Sequence, residues 1–207
     1  MIDVCTERKN EMVIGLTGYK GHGKNFYAPF FVEKGYIPYA MANPIREVGK
    51  VVFGWTDEQM DGEGKEKVDL FWGISFREFA TTFGTEYAQK MLSKKFCLFK
   101  SQTGRRIWVK WFIRWYEKSP IKDIVITDIR FLHEVEAIYK LGGVVIRIVR
   151  PNRKPKRWWQ FWVRVHDSEK HVMKLPVDYE IENLDTDTVD DCRKKVRIAL
   201  EYLDVIE

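Results

Sequence analysis

The run Gly18-Tyr-Lys-Gly-His-Gly23-Lys24 has the spacing of a loop that holds phosphate. Glycines so placed let successive backbone N–H groups curl around one anion. A helix that starts at the lysine points its partial positive charge at the same spot, and the lysine reaches the outer phosphates of a nucleotide. The candidate phosphate ligands are Gly18, Gly21, His22, Gly23, Lys24 and Asn25. Position 25 commonly carries a Ser or Thr whose hydroxyl ligates Mg²⁺. Asn25 offers an amide oxygen instead, or a water bridge. Asp128 closes the apolar run DIVIT, and Arg130 follows shortly after. A carboxylate at such a strand end can support Mg²⁺, directly or through water. An Asp there is also suited to cap a helix.

A third region is basic and aromatic. Arg150, Arg153, Lys154, Lys156, Arg157 and Arg164 are interleaved with Trp158, Trp159, Phe161 and Trp162, and no acid falls among them. One reading is a mobile lid over residues 150–166, whose arginines close on a triphosphate and offset its developing charge. A second is a nucleic-acid groove with stacking aromatics. A third is a solvated basic loop with its aromatics turned inward.

These groups need elements to position them. Met12–Thr17 reads as a buried parallel strand feeding the glycine turn, and Asn25–Lys34 as the helix after it, with Pro29 an irritant. Tyr36–Met41, Asp123–Thr127, Val144–Val149 and Tyr179–Glu182 read as further strands. Asn43–Phe53, Ser75–Leu92, Ile107–Lys118, Phe131–Leu141, Asp167–Lys174 and Thr188–Leu203 read as helical. Ser75 followed by Glu78 is a capping box. Trp108, Trp111, Phe112 and Trp115 fall on one helical face. Trp55–Gly73 reads as a loop broken by glycines, with room for one helical turn. Strand and helix alternate about five times, which predicts a parallel sheet with helices on both faces. In such sheets ligands sit beyond the carboxyl ends of the strands.

With 207 residues the chain is long enough for one compact domain with an inserted lid. A net charge of +5 points to an anionic partner. No apolar run is long enough to span a membrane, and the N-terminus lacks the pattern of a signal peptide. Three cysteines lie far apart, as expected of reduced thiols in a cytoplasmic protein rather than a zinc site.

The ordered set GYKGHGKNF (18–26), ANPIREV (42–48), DEQMDGEGKEKVD (57–69), SFREFATTFGTEYAQK (75–90), VITDIRFLHEVEAI (125–138), IRIVRP (146–151), HDSEKH (166–171) and DYEIENLDT (178–186) resembles the phage-type deoxynucleoside monophosphate kinases. The resemblance runs over nearly the whole chain. It implies a single P-loop kinase domain over 1–207, three-layered α/β/α with about five parallel strands and a mobile lid. It implies ATP and Mg²⁺ as cofactors and transfer of a phosphoryl group to a nucleoside monophosphate. Lys24, Asp128 and Arg150 would be catalytic, with Asn25 and Asp128 toward the metal. Residues 42–92 would bind the acceptor, through Arg46, Arg77, Gly84, Thr85 and Glu86, together with Arg130. Arg150, Arg153, Arg157 and Arg164 would belong to the lid, and His166, Ser168 and Glu169 to the segment after it.

Two positions depart from the family pattern. Asn25 replaces Asp, Ser or Thr, and Gln89 stands where an Arg is frequent, with Lys90 beside it as a point charge. The expected partners are nucleotides, in a host cytoplasm and away from membranes, with a homodimer left open. The alternatives are a P-loop kinase acting on a hydroxymethylated base in DNA, and a nucleotide-binding protein without phosphoryl transfer. The sequence does not name the acceptor base.

Overall fold

A computed structural model describes residues 11–91, 106–151 and 172–206. The described residues form two compact units, one of 11–40, 118–151 and 172–206, the other of 41–91 and 106–117.

The first unit is built on five parallel strands: β1 (Val13–Thr17), β2 (Ile37–Tyr39), β3 (Ile124–Ile126), β4 (Val144–Val149) and β5 (Tyr179–Glu182), in the spatial order β2-β3-β1-β4-β5. β1 is central and buried along its whole length, which is why VIGLT is a continuous apolar run rather than an alternating one. In register, Gly15 lies beside Ile126 of β3 and Thr17 beside Arg147 of β4. β2 is a three-residue edge strand that contains Pro38.

One face of the sheet, with Ile14, Leu16, Val125, Ile146 and Ile148, packs on two helices. α1 (Lys24–Glu33) contributes Tyr27, Phe30 and Phe31, and the C-terminal helix (Val189–Tyr202) contributes Cys192, Val196, Ala199 and Leu200. Val189, at the helix start, is exposed. The opposite face receives the helix Leu132–Lys140, whose Ile138 approaches β1 so closely that a Cβ at Gly15 would sit 2.5 Å from its Cδ1. The expected α/β fold with helices on both faces is present. In chain order the remaining helices take the labels α2 (Asn43–Val48), α3 (Asp57–Met60), α4 (Phe76–Thr81) and α5 (Ile107–Lys118), so that Leu132–Lys140 is α6 and Val189–Tyr202 is α7.

The second unit is helical and aromatic. α2 continues into a wider π-helical turn, Gly49–Phe53, and α4 into Thr82–Met91. The stretch read as a loop, 55–73, is ordered and packed. Trp55 is buried and stacks on Phe53, with ring centroids 4.4 Å apart, and Met60 is fully buried. Asp69 organises the rest, accepting from Trp55 Nε1 at 2.9 Å and from the Phe71 and Trp72 amides at 2.9 and 3.2 Å. Elements one turn long leave no 3.6-residue period, so the pattern was invisible there. On α5 the buried stripe is Val109, Phe112 and Tyr116, while Trp111 is exposed, a rotation from the expected face. The DNA of helix starts was easier to read: Ser75 Oγ accepts from the Glu78 amide at 3.2 Å, and the Glu78 carboxylate accepts from the Ser75 amide at 2.8 Å. Ser75→Ala should destabilise the protein by about 1 kcal/mol, the usual cost of a lost N-cap, in urea unfolding followed by tryptophan fluorescence.

Candidate active site

The glycine run adopts the conformation its composition requires. Gly18, Gly21 and Gly23 have φ of 136°, 86° and 102°, a region that side chains avoid. Two of them are also hemmed in from behind. A Cβ at Gly18 would lie 2.4 Å from the Ile148 carbonyl oxygen, and one at Gly23 would lie 2.4 Å from Asn183 Nδ2. α1 then begins with Gly23 as its N-cap, which supplies no side-chain cap, and no acid stands in its first turn. α3, α4 and α7 start differently, each with a Ser or Thr cap and an acid in the first turn. The amino end of α1 therefore keeps its positive dipole end for an external anion. Lys24 folds its ammonium back onto the loop, donating to the Gly18 and Tyr19 carbonyls at 2.5 and 3.0 Å. Asn25 is exposed in the first turn of α1.

His22 is held in the loop by several bonds. Its ring is buried, and Nδ1 accepts from the Arg150 amide at 3.3 Å. Its own amide donates to the Tyr19 carbonyl at 3.1 Å, and its carbonyl accepts from Asn183 Nδ2 at 2.9 Å. His22 thus braces the loop against the ends of β4 and β5.

The residue after each strand lies at this edge. Beyond β3, the Ile129 amide donates to the Leu16 carbonyl at 3.2 Å, and the buried Thr17 hydroxyl donates to the Ile129 carbonyl at 3.0 Å. Asp128, half-buried, precedes that stitch. Asp128 does not cap α6; that helix starts at Leu132 with Phe131 at its N-cap position. The Asp128 charge is felt by its neighbours. Burial, with Asp128 adding to it, pushes the Tyr39 hydroxyl up to about 12. Burial also pushes the Glu134 carboxyl up to about 8; the Arg130 amide pulls against this, the Asp128 charge adds to it, and the Phe131 amide pulls against it again. Beyond β4, Arg150 donates through Nε to Asp185 Oδ1 at 2.7 Å, and Nη2 reaches the same oxygen.

The residues expected to bind the acceptor fall in the second unit, apart from Arg130. Arg46 on α2 donates to Asp61 Oδ1 at 2.7 Å and lies 6.0 Å from the Phe76 ring centroid. Arg77 on α4 donates to Glu66 Oε1 at 3.0 Å. Gly84 is buried: a Cβ there would meet Ile45 Cδ1 at 2.6 Å, and its carbonyl accepts from Trp108 Nε1 at 3.1 Å. Thr85 is half-buried, and Glu86 pairs with Lys90 at 2.7 Å. Arg130, in the first unit, is exposed. Arg153, Arg157, Arg164, His166, Ser168 and Glu169 lie outside the described residues, as does most of the expected lid.

Among curated proteins the chain is 33% identical over 148 residues to an Acanthamoeba polyphaga mimivirus protein named "Putative deoxynucleotide monophosphate kinase", covering 68% of this chain and 75% of that one. The chain belongs to the deoxynucleotide monophosphate kinase family. No family model matches it. Among solved structures, the kinase is weakly similar to the dephospho-CoA kinase of Campylobacter jejuni (17% identity, TM-score 0.42, 93% of this chain and 96% of that one). A Thermus thermophilus protein is similarly distant (18% identity, TM-score 0.44, 94% and 99%).

Asn183 and Asp185 carried no assigned role in the sequence reading. Their signal was positional: they follow β5 at the edge where ligands are expected. Two outcomes follow for this kinase. Asn183→Ala strips the buried His22 carbonyl of its partner and should cost about 1–3 kcal/mol in thermal or urea unfolding, with weaker ATP binding by calorimetry. Glu134 binds its proton more tightly in the fold than in the open chain, whose value is 4.5. It therefore favours the fold at low pH, and that contribution drains away as pH rises from about 4.5 through about 8. Glu134→Gln, which cannot ionise, should flatten that stretch of the stability–pH curve.

Proposed function

We propose that this kinase transfers the γ-phosphoryl of ATP to a deoxynucleoside monophosphate, giving the diphosphate. The observation that carries the reading is the start of α1: three glycines in left-handed conformations, a helix terminus without a cap, and Lys24 turned onto the loop. That is a phosphate cradle in search of its anion. Family membership supplies the rest.

The residues fit a magnesium nucleotide. Among the described residues no group of three or more His, Cys, Asp or Glu side chains gathers as a self-contained metal cage. Mg²⁺ in such enzymes takes few protein ligands, and the nucleotide phosphates supply others. Asn25 and Asp128 would be the protein's share. The ion would supply positive charge that neutralises the phosphates.

The chain's own groups do the remainder. The loop amides and Lys24 hold the donor phosphates, with the ammonium leaving the Gly18 and Tyr19 carbonyls for the ligand. Arg150 releases Asp185 and turns toward the transferring group. Arg46 and Arg77, each already oriented by an acid of the 57–69 stretch, are the second unit's candidates for the acceptor phosphate, with Thr85 and Glu86 the candidates for the acceptor nucleotide. A phosphate acceptor has a second pKa of about 6, so it arrives largely ionised and requires no strong base. Alignment and cations then account for the rate.

The test is release of ADP from ATP·Mg²⁺ against a panel of deoxynucleoside and nucleoside monophosphates. Turnover on at least one deoxynucleotide is expected, with Lys24→Ala lowering kcat by about 100- to 1,000-fold. Silence across the whole panel would sink the proposal. Asn25→Ser should restore the hydroxyl usual at this position and lower the Mg²⁺ concentration needed for half-maximal rate.

A further inference from the structure

We propose that Glu134 is a positioning residue for phosphoryl transfer: its carboxylate clamps the backbone turn that carries both Asp128 and Arg130. The inference rests on the kinase reading above and extends it to a residue with no direct part in the chemistry.

The geometry is specific. Glu134 Oε2 accepts from the Arg130 amide at 2.7 Å and from the Phe131 amide at 2.9 Å. On the other side of the same turn, the Ile129 amide donates to the Leu16 carbonyl and the Ile129 carbonyl accepts from the Thr17 hydroxyl. Residues 129, 130 and 131 are thus held in succession, first by β1 and then by α6. Asp128 is the residue before this series and Arg130 lies inside it. Backbone held on both sides leaves few ways for either side chain to reorient.

A cap alone would not require the burial that Glu134 has. The side chain is 7% exposed. The acids at the same position in the capping boxes of α4 and α7, Glu78 and Asp191, lie near solvent, and their hydrogen bonds hold them below the usual carboxylate range. Burial pushes Glu134 the other way. Removing a carboxylate from water is costly, and here it faces the Asp128 charge as well. An exposed acid would cap α6 without that cost. What burial adds is a clamp that water cannot compete with, placed under the turn rather than beside it.

The experiment uses the full chain with Glu134→Ala, Glu134→Gln and Glu134→Asp, and Thr188→Ala as a plain loss of cap on α7. Gln keeps a carbonyl oxygen in the place of Oε2, while Asp keeps the charge but is one methylene short. Two readouts are needed: steady-state kcat and KM, and hydrogen exchange of the 130 and 131 amides. Glu134→Ala and Glu134→Asp should lose protection at both amides. Their kcat should fall by about 10- to 100-fold, the scale of a misplaced catalytic group, with KM for ATP little changed. Glu134→Gln should restore both protection and kcat to near wild type. Thr188→Ala should lower the melting temperature and leave kcat alone.

The proposal is overturned if Glu134→Ala keeps its kcat, if it loses no more activity than Thr188→Ala, or if Glu134→Gln is as slow as Glu134→Ala. Should Glu134→Ala fail to fold, Glu134→Asp against Glu134→Gln decides the matter. If the wild-type protein phosphorylates no monophosphate, the kinase reading fails separately. The clamp is then judged by amide exchange and by how far Mg²⁺ tightens ADP binding: both impaired in Glu134→Ala and restored in Glu134→Gln upholds it, and no change in either rejects it.

Discussion

The hydroxyl of Thr17 is fully buried, and its one hydrogen to donate goes to the carbonyl of Ile129, 112 residues further along the chain. A buried hydroxyl without a partner costs heavily, so this bond is obligatory once β1 is central. Its effect is to tie the last residue before the glycine loop to the turn after β3. The amide of Ile129 ties to the neighbouring carbonyl of Leu16. With those two bonds made, the phosphate loop and the Asp128 turn are one rigid edge. The glycines can curl only where β1 releases them, and the turn that carries Asp128 is pinned to the last two residues of that strand.

The same edge is braced from the far side. Asn183 after β5 holds the His22 carbonyl, and the His22 ring holds the first amide beyond β4. The loop therefore rests on three of its neighbouring strands as well as on its own helix. These bonds fix the backbone of the loop, while Lys24 and Arg150 are engaged with other groups of the chain. The second unit follows a similar logic with charge in place of backbone. Asp61 and Glu66 hold the guanidinium groups of Arg46 and Arg77. These pairs are half-exposed, so they orient more than they stabilise.

Much of this was legible in the chain itself. Long apolar runs announced β1 and β4 because a parallel strand buried on both faces has no polar alternation to confuse the signal. The glycine run announced a turn with positive φ, which Gly18, Gly21 and Gly23 adopt. The short elements of 55–73 were not legible. Their order comes from one carboxylate, Asp69, collecting donors brought to it by the fold, and from aromatic stacking that no period records. The contacts of His22 were not legible for a related reason: its neighbours Arg150 and Asn183 are 128 and 161 residues away in sequence. Arg147 likewise sits buried in a strand whose sequence reads as β-branched and apolar, held by Glu180 and the Leu175 carbonyl. Local reading finds groups that act through their own backbone. It does not find those that act by reaching across the sheet.

Pro38 in β2 has a consequence of another kind. β2 borders the sheet, and the Ile37 amide already turns inward to the Asp123 carbonyl. The residue between Ile37 and Tyr39 would present the outward donor, and proline has none. A strand from another molecule arriving at this border would find no hydrogen-bond donor at the centre of a three-residue template. The exposed Ile37 beside it makes such protection useful, because a sticky border with a full set of donors invites stacking into fibrils. An imino acid in this way works against growth of the sheet by strand addition at this border, at the far end of the sheet order from β5.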